Sequence, residues 1–131
     1  MDYKYLIDIA NKAKQNAYAP YSNFHVGAAL IAGSGKVYTG VNVENASYGA
    51  TICAERTAVI KAISEGEKSI KALAISGNTE DYIFPCGICR QVIAEFAAED
   101  LVIICCNKKG EYKVYSMEDL LPNAFVFEKK T

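Results

Sequence analysis

The sequence predicts an α/β domain in which a mixed five-stranded sheet is sandwiched between helices. Three observations carry this. Segments of helical periodicity alternate with short apolar runs, in the order helix, two strands, helix, strand, helix, two strands, short helix. The third and fourth strands read as buried on both faces, which suits parallel pairing inside a covered sheet. The 131 residues contain no linker, internal repeat or low-complexity segment. They suffice for a single domain over 1–131 and are too few for two good cores.

The first helix is expected from Asp2, a plausible cap, to about Tyr18, because Leu6, Ile9, Ala10, Ala13 and Ala17 recur at helical spacing. Pro20 closes it, and Ala19–Asn23 reads as a loop. Val26–Ala32 and Val37–Val43 read as a hairpin around the Gly33-Ser34-Gly35-Lys36 turn. Asn42–Ile52 is polar and irregular. A helix from about Cys53 to Glu65 presents Ala54, Ala58, Ile60, Ala62 and Ile63, and Gly66 is placed to end it. Ile70–Ser76 is the third strand and Gly77–Phe84 a loop closed by Pro85. Cys86–Ala98 is a helix with Val92, Ile93 and Phe96 facing the core. Leu101–Cys106 and Glu111–Tyr115 are the last strands, and Ser116 with Asp119 forms a capping box for a short helix that Pro122 stops.

Composition narrows the function classes. Half of the residues are hydrophobic (51%) and net charge is only −1, so disorder is excluded. Fourteen basic residues are balanced by fifteen acidic ones, which disfavours a nucleic-acid surface. The apolar runs, such as Val26–Ala32 and Leu101–Cys106, are too short to span a bilayer. The mixed, charged start MDYKYLIDIANKAKQ does not read as a signal peptide, so a cytoplasmic protein with no membrane partner is expected.

Chemistry concentrates in the cysteines. There are five (Cys53, Cys86, Cys89, Cys105 and Cys106), an odd number that argues against a disulfide framework. Cys105 and Cys106 sit in an apolar run and read as packing. Cys53-Ala54-Glu55 and Pro85-Cys86-Gly87-Ile88-Cys89 each fall at a predicted helix start. The free N–H groups and partial positive charge of a helix N-terminus stabilise thiolate, the form that binds metal. Cys86 and Cys89 can face one ion from a single turn, with Cys53 arriving from a second helix. Three sulfur ligands leave one tetrahedral position open, the pattern of a catalytic rather than a structural zinc site. Glu55 would lie beside the metal without ligating it, placed to take a proton from water and deliver it to a substrate. Three thiolates on Zn²⁺ carry excess negative charge, and Arg56, ahead of Arg90, is the residue expected to offset it. A redox pair and a closed structural site are the competing readings. The sole histidine, His25, is far in sequence from the clusters and reads as a loop residue.

Zinc nucleobase deaminases carry His or Cys, Glu two residues on, and then Pro-Cys-x-x-Cys. With that motif, the segments YAPYSNFHVGAAL, TGVNVENASYG, CAERTA and PCGICRQV resemble the small, homotetrameric, three-cysteine type of cytidine deaminase. The resemblance runs from about Tyr18 to Phe125. It implies a three-layer αβα fold and one Zn²⁺ per subunit. It also implies hydrolysis of cytidine and 2′-deoxycytidine to uridine or deoxyuridine and ammonia, in pyrimidine salvage. By the same resemblance Cys53, Cys86 and Cys89 are zinc ligands and Glu55 the proton shuttle. Asn42 and Glu44 hydrogen-bond the ribose hydroxyls, and Phe24 packs on the pyrimidine. The Ala54 N–H meets the pyrimidine carbonyl, and the Phe84 carbonyl meets the reacting amino group. Tyr48 and Phe125 are supplied across subunit interfaces of a homotetramer.

Two positions depart from the family pattern. The family usually has Ser at the position of Phe84 and a small residue at that of Ile88. These departures bear on loop packing and fine substrate preference more than on the reaction. Two other functions are set against this one: a zinc deaminase of modified nucleosides or single-stranded nucleic acid, and a non-enzymatic zinc domain. The neutral charge disfavours a polymer substrate. A structural site has no use for Glu55.

Overall fold

Strand alternation builds both cores of the molecule. The computed structural model describes residues 3–127. Strands β1 (Val26–Ala32), β2 (Val37–Val41), β3 (Ile70–Gly77), β4 (Ala97–Cys106) and β5 (Tyr112–Ser116) form one sheet in the order β2-β1-β3-β4-β5. β3 and β4 run parallel, and the other neighbours are antiparallel, as expected for a mixed sheet.

Successive strand residues point to opposite faces. Leu30, Leu73, Ile75 and Ile103 enter one core, packed with Ala54, Ala58, Val59 and Ala62 of helix α2 (Ala54–Ser64) and Ile93 of α3 (Gly87–Phe96). Ala29, Ala72, Ala74 and Ile104 enter the other, under Leu6, Ile7 and Ala10 of α1 (Tyr3–Ala13). The result is three layers: α1, the sheet, and α2 with α3. Cys105 and Cys106 are buried on opposite faces and serve packing.

Two glycines set how closely the helices sit. A Cβ at Gly27 would lie 2.2 Å from the Ala10 carbonyl oxygen, so the end of α1 rests on β1. A Cβ at Gly40 would lie 2.4 Å from the Ala58 nitrogen, so α2 rests on β2. That second contact places the N-terminus of α2 at the site described below.

The elements differ from expectation at three boundaries, each for a tertiary reason. The first helix stops at Ala13, continues as a 3₁₀ turn (Lys14–Asn16), and does not reach Tyr18. Tyr18 is drawn into an extended bridge with Val43, its N–H bonding the Asn42 carbonyl at 3.0 Å. Accordingly β2 ends at Val41, because Val43 pairs with Tyr18 and Ile52 instead of β1. The third helix ends at Phe96, and Ala97 opens β4 opposite Ile70, so pairing overrides the helical propensity of Ala97 and Ala98. The expected cap Asp2 lies outside the described residues. Ile60, expected on the apolar face of α2, is instead exposed, because the helical turn directs Val59 into the core and Ile60 away from it. The remaining turn and cap signals fall where expected. Gly66 (φ +100°) follows α2, and Ser116 and Asp119 form the capping box of α4 (Met117–Leu120). Among the described residues no helix is long and apolar enough to cross a membrane.

Candidate active site

Cys53 and Cys86 are the N-caps of α2 and α3, both with extended backbone, and Cys89 lies in the first turn of α3. The two helix N-termini therefore converge on one cluster of sulfur atoms. The three Sγ atoms lie within 4.8 Å of one another, and Cys53 Sγ is 3.8 Å from Cys86 Sγ. Sulfur at about 2.3 Å around a tetrahedral zinc implies sulfur–sulfur separations of about 3.8 Å. All three cysteines are free of disulfides. Geometry and donor chemistry thus fit one zinc ion, with Cys53, Cys86 and Cys89 as its holders. His25 is not among them; its ring meets the Asn23 side chain at 3.2 Å.

The electrostatics of the cluster are uneven. The Cys53 thiol is held well below its ordinary value, first by the hydrogen bond from Cys89 and then by the Arg56 guanidinium. Cys89, the donor in that pair, is held far above its ordinary value. Two adjacent sulfurs in a buried site do not both ionise without a cation between them. Arg56 Nη2 reaches Cys53 Sγ at 4.0 Å and the Thr51 carbonyl at 3.2 Å, and its buried Nε has no partner. Arg90 is committed elsewhere, to the carbonyls of Pro85 (2.8 Å) and Leu120 (2.7 Å). Of the two arginines, Arg56 is the one facing the thiolate.

Glu55 is 4% exposed, and burial pushes its carboxyl up to about 7, with the Cys53 charge adding to the effect. It lines a cavity of about 290 Å³ together with Cys53, Ala54 and Cys86. Phe24, Asn42, Glu44 and Phe84 line the same cavity. Ala54 is the first residue of α2, so its N–H lies among the donors left free at a helix start. The Phe84 ring rests on Tyr115, with centroids 5.6 Å apart, so the departure at this position is absorbed by an aromatic contact. Ile88 is exposed.

Asn42 is buried and holds the loop before β1: its Oδ1 accepts from Val26 N (2.9 Å) and its Nδ2 donates to the Phe24 carbonyl (2.7 Å). Glu44 Oε1 accepts from the N–H groups of Tyr21 (2.9 Å) and Ser22 (3.1 Å), and Oε2 accepts from the Ser22 hydroxyl. That hydroxyl bond, ahead of the two backbone bonds, holds the Glu44 carboxyl below the usual carboxylate range. Tyr48 lies outside the cavity, in an adjoining depression that shares Ser22, Glu44 and Thr51 with it. Phe125 lies in a separate groove with Met117 and Leu121.

The cavity also includes Ser22, Val26, Thr51, Ile52 and Ile83, none of them expected there from the sequence. Apart from Val26, which opens β1, they lie between the regular elements and carry no periodicity to reveal them. The available signal was position: Ser22 is two residues before Phe24, and Thr51 and Ile52 directly precede Cys53.

Comparison with known proteins places this geometry. Residues 1–105 match the family model described as cytidine and deoxycytidylate deaminase zinc-binding region. A cytidine deaminase of Sporosarcina psychrophila is 50% identical over 125 residues, covering 95% of this chain and 92% of the relative. The crystal structure of cytidine deaminase from Burkholderia pseudomallei is similar at TM-score 0.90 and 49% identity, covering 95% of this chain and all (100%) of that one. That of Mycobacterium tuberculosis matches at TM-score 0.84 and 40% identity, covering 97% and 99%.

Proposed function

We propose that this chain, which belongs to the cytidine and deoxycytidylate deaminase family, hydrolyses cytidine and 2′-deoxycytidine to the uridine nucleosides and ammonia. The observation that carries this is a buried, non-ligating carboxylate, Glu55, sharing one cavity with two cysteines of a three-sulfur cluster. Zinc bound by Cys53, Cys86 and Cys89 would supply the Lewis acidity that makes water a nucleophile near neutral pH. Everything else falls to the chain's own groups.

Glu55 takes a proton from water and delivers it to N3 of the pyrimidine, which makes C4 more electrophilic. The water oxygen bonds to C4. Glu55 then carries the proton of the new C4 hydroxyl to the amino group, which leaves as ammonia as the C4–N bond breaks and the C4 carbonyl forms, so one carboxylate serves both transfers. Its burial keeps bulk water from competing for those protons. The Ala54 N–H donates to the pyrimidine carbonyl, and the Phe84 carbonyl accepts from the amino group. Phe24 packs on the base, and Asn42 and Glu44 bond the ribose hydroxyls. That they share one cavity with Glu55 supports these roles. Arg56 offsets thiolate charge, which its approach to Cys53 Sγ supports.

The same proposal extends to a homotetramer, a single catalytic domain over 1–131, pyrimidine salvage and a cytoplasmic location. Tyr48 is 78% and Phe125 68% exposed, and neither lines its own chain's cavity, which suits side chains lent to a neighbouring site. Ligand thiols require a reducing compartment.

The test is the ultraviolet absorbance change of zinc-loaded protein with cytidine, run beside a single-stranded oligonucleotide. Conversion of cytidine alone, with one ammonia released per uridine, is expected. No conversion at full zinc occupancy, or conversion of the oligonucleotide in its place, would overturn the proposal. Sedimentation should place the activity in a tetramer; an active monomer would remove Tyr48 and Phe125 from the site.

A further inference from the structure

The loop that carries Phe24 has no regular secondary structure, yet its polar groups are satisfied by side chains converging from three places. Asn42 holds Phe24 and Val26, and Asn78 holds the Asn23 carbonyl (3.1 Å) and the His25 N–H (3.2 Å). Glu44 holds Tyr21 and Ser22. Ser22 joins two of these arrangements: its hydroxyl donates to Glu44 Oε2 and accepts from Phe24 N at 3.0 Å. The direction is fixed by chemistry, since an ionised carboxylate only accepts and a backbone N–H only donates.

The two oxygens of Glu44 are not equivalent. Oε1 receives two N–H groups, which use both of its lone-pair directions. Oε2 receives one hydroxyl, which leaves one acceptor direction for a ligand. The two N–H bonds pin one oxygen, and the Ser22 hydroxyl fixes the rotation of the carboxylate about it. Both Ser22 and Glu44 line the cavity.

We propose that Ser22 is a positioning residue for nucleoside recognition: its hydroxyl orients Glu44 so that the open acceptor site of Oε2 meets a ribose hydroxyl. This rests on the ribose role proposed above for Glu44. Removing the hydroxyl leaves both N–H bonds to Glu44 in place, so Glu44 stays at the cavity but loses its aim. The Phe24 N–H loses an acceptor, while the Asn42 bond to the Phe24 carbonyl still holds that residue. The effect falls on ground-state binding of the sugar, hence on KM rather than kcat.

The test compares KM for cytidine and for 2′,3′-dideoxycytidine in the zinc-loaded parent, Ser22→Ala, Ser22→Thr and Glu44→Ala. The parent should favour cytidine, and Glu44→Ala should abolish most of that preference. Ser22→Ala should raise the cytidine KM roughly five- to twenty-fold, the effect of one charge-assisted hydrogen bond. It should leave the dideoxycytidine KM and the cytidine kcat within about two-fold. Ser22→Thr, which keeps the hydroxyl at an exposed position, should restore the preference. The proposal is overturned if Ser22→Ala keeps the parental preference while Glu44→Ala loses it, or if Ser22→Ala raises both KM values equally. If Glu44→Ala itself keeps the preference, the ribose role of Glu44 fails and the role of Ser22 falls with it.

Discussion

The two ends of the cavity are built by different means. At the cysteine end, secondary structure does the placing: two helix N-termini converge, and their caps, with Cys89 in the first turn of α3, are the sulfur donors. At the other end a loop is braced by the side chains of Ser22, Asn42, Glu44 and Asn78. Each end holds one glutamate, and the environments drive them apart. Glu55 is desolvated and its carboxyl is pushed up to about 7, a group suited to carrying a proton. Glu44 accepts three hydrogen bonds and is held low, a group suited to accepting bonds and staying ionised. Residue type is shared, and the surroundings assign the task.

This contrast can be broken or sharpened by substitution, with the largest effects at the cysteine end. Cys86→Ala should lose stoichiometric zinc and all measurable turnover, read by metal analysis of the dialysed protein. Unchanged zinc content would remove Cys86 from the ligand set. Arg56→Ala leaves the thiolates without their neighbouring cation and should weaken zinc affinity about 10–100-fold in a chelator competition. An unchanged affinity would make the contact with Cys53 incidental. At the loop end, Glu44→Ala should keep zinc and raise the cytidine KM roughly ten-fold or more, the scale of a lost charge-assisted bond. Zinc loss in that variant would mean the two ends are not independent. The smallest effect is on stability. Gly40→Ala forces a Cβ against the backbone of α2 and should cost roughly 1–3 kcal/mol, seen as a lowered melting temperature. An unshifted transition would show that α2 can move away from β2 freely.

The same contrast decides how much was legible in the sequence. Cys53, Cys86, Cys89 and Glu55 were readable from spacing, because a helix start fixes neighbouring residues on one side of a turn. The element order and the parallel pairing of β3 with β4 followed from periodicity and apolar runs. Phe24, Asn42, Glu44, Ala54 and Phe84 could be gathered only through resemblance to a family; nothing in their local pattern says that they line one cavity. Ser22 and Asn78 escaped altogether, since their partners lie 22 and 55 residues away and loop hydrogen bonding leaves no period. The misplaced boundaries have the same origin. Tyr18 leaves the first helix for a bridge to Val43, and Ala97 leaves the third for a partner in β3. Local propensity gave way wherever a distant strand offered backbone pairing.

The central claim is that one buried carboxylate, distinct from the metal ligands, carries both protons of the deamination. It is tested most directly by measuring zinc content and cytidine turnover on the same sample of Glu55→Ala. One zinc per chain with turnover reduced at least about 10²–10⁴-fold is the predicted result. Turnover retained at full zinc occupancy would contradict it.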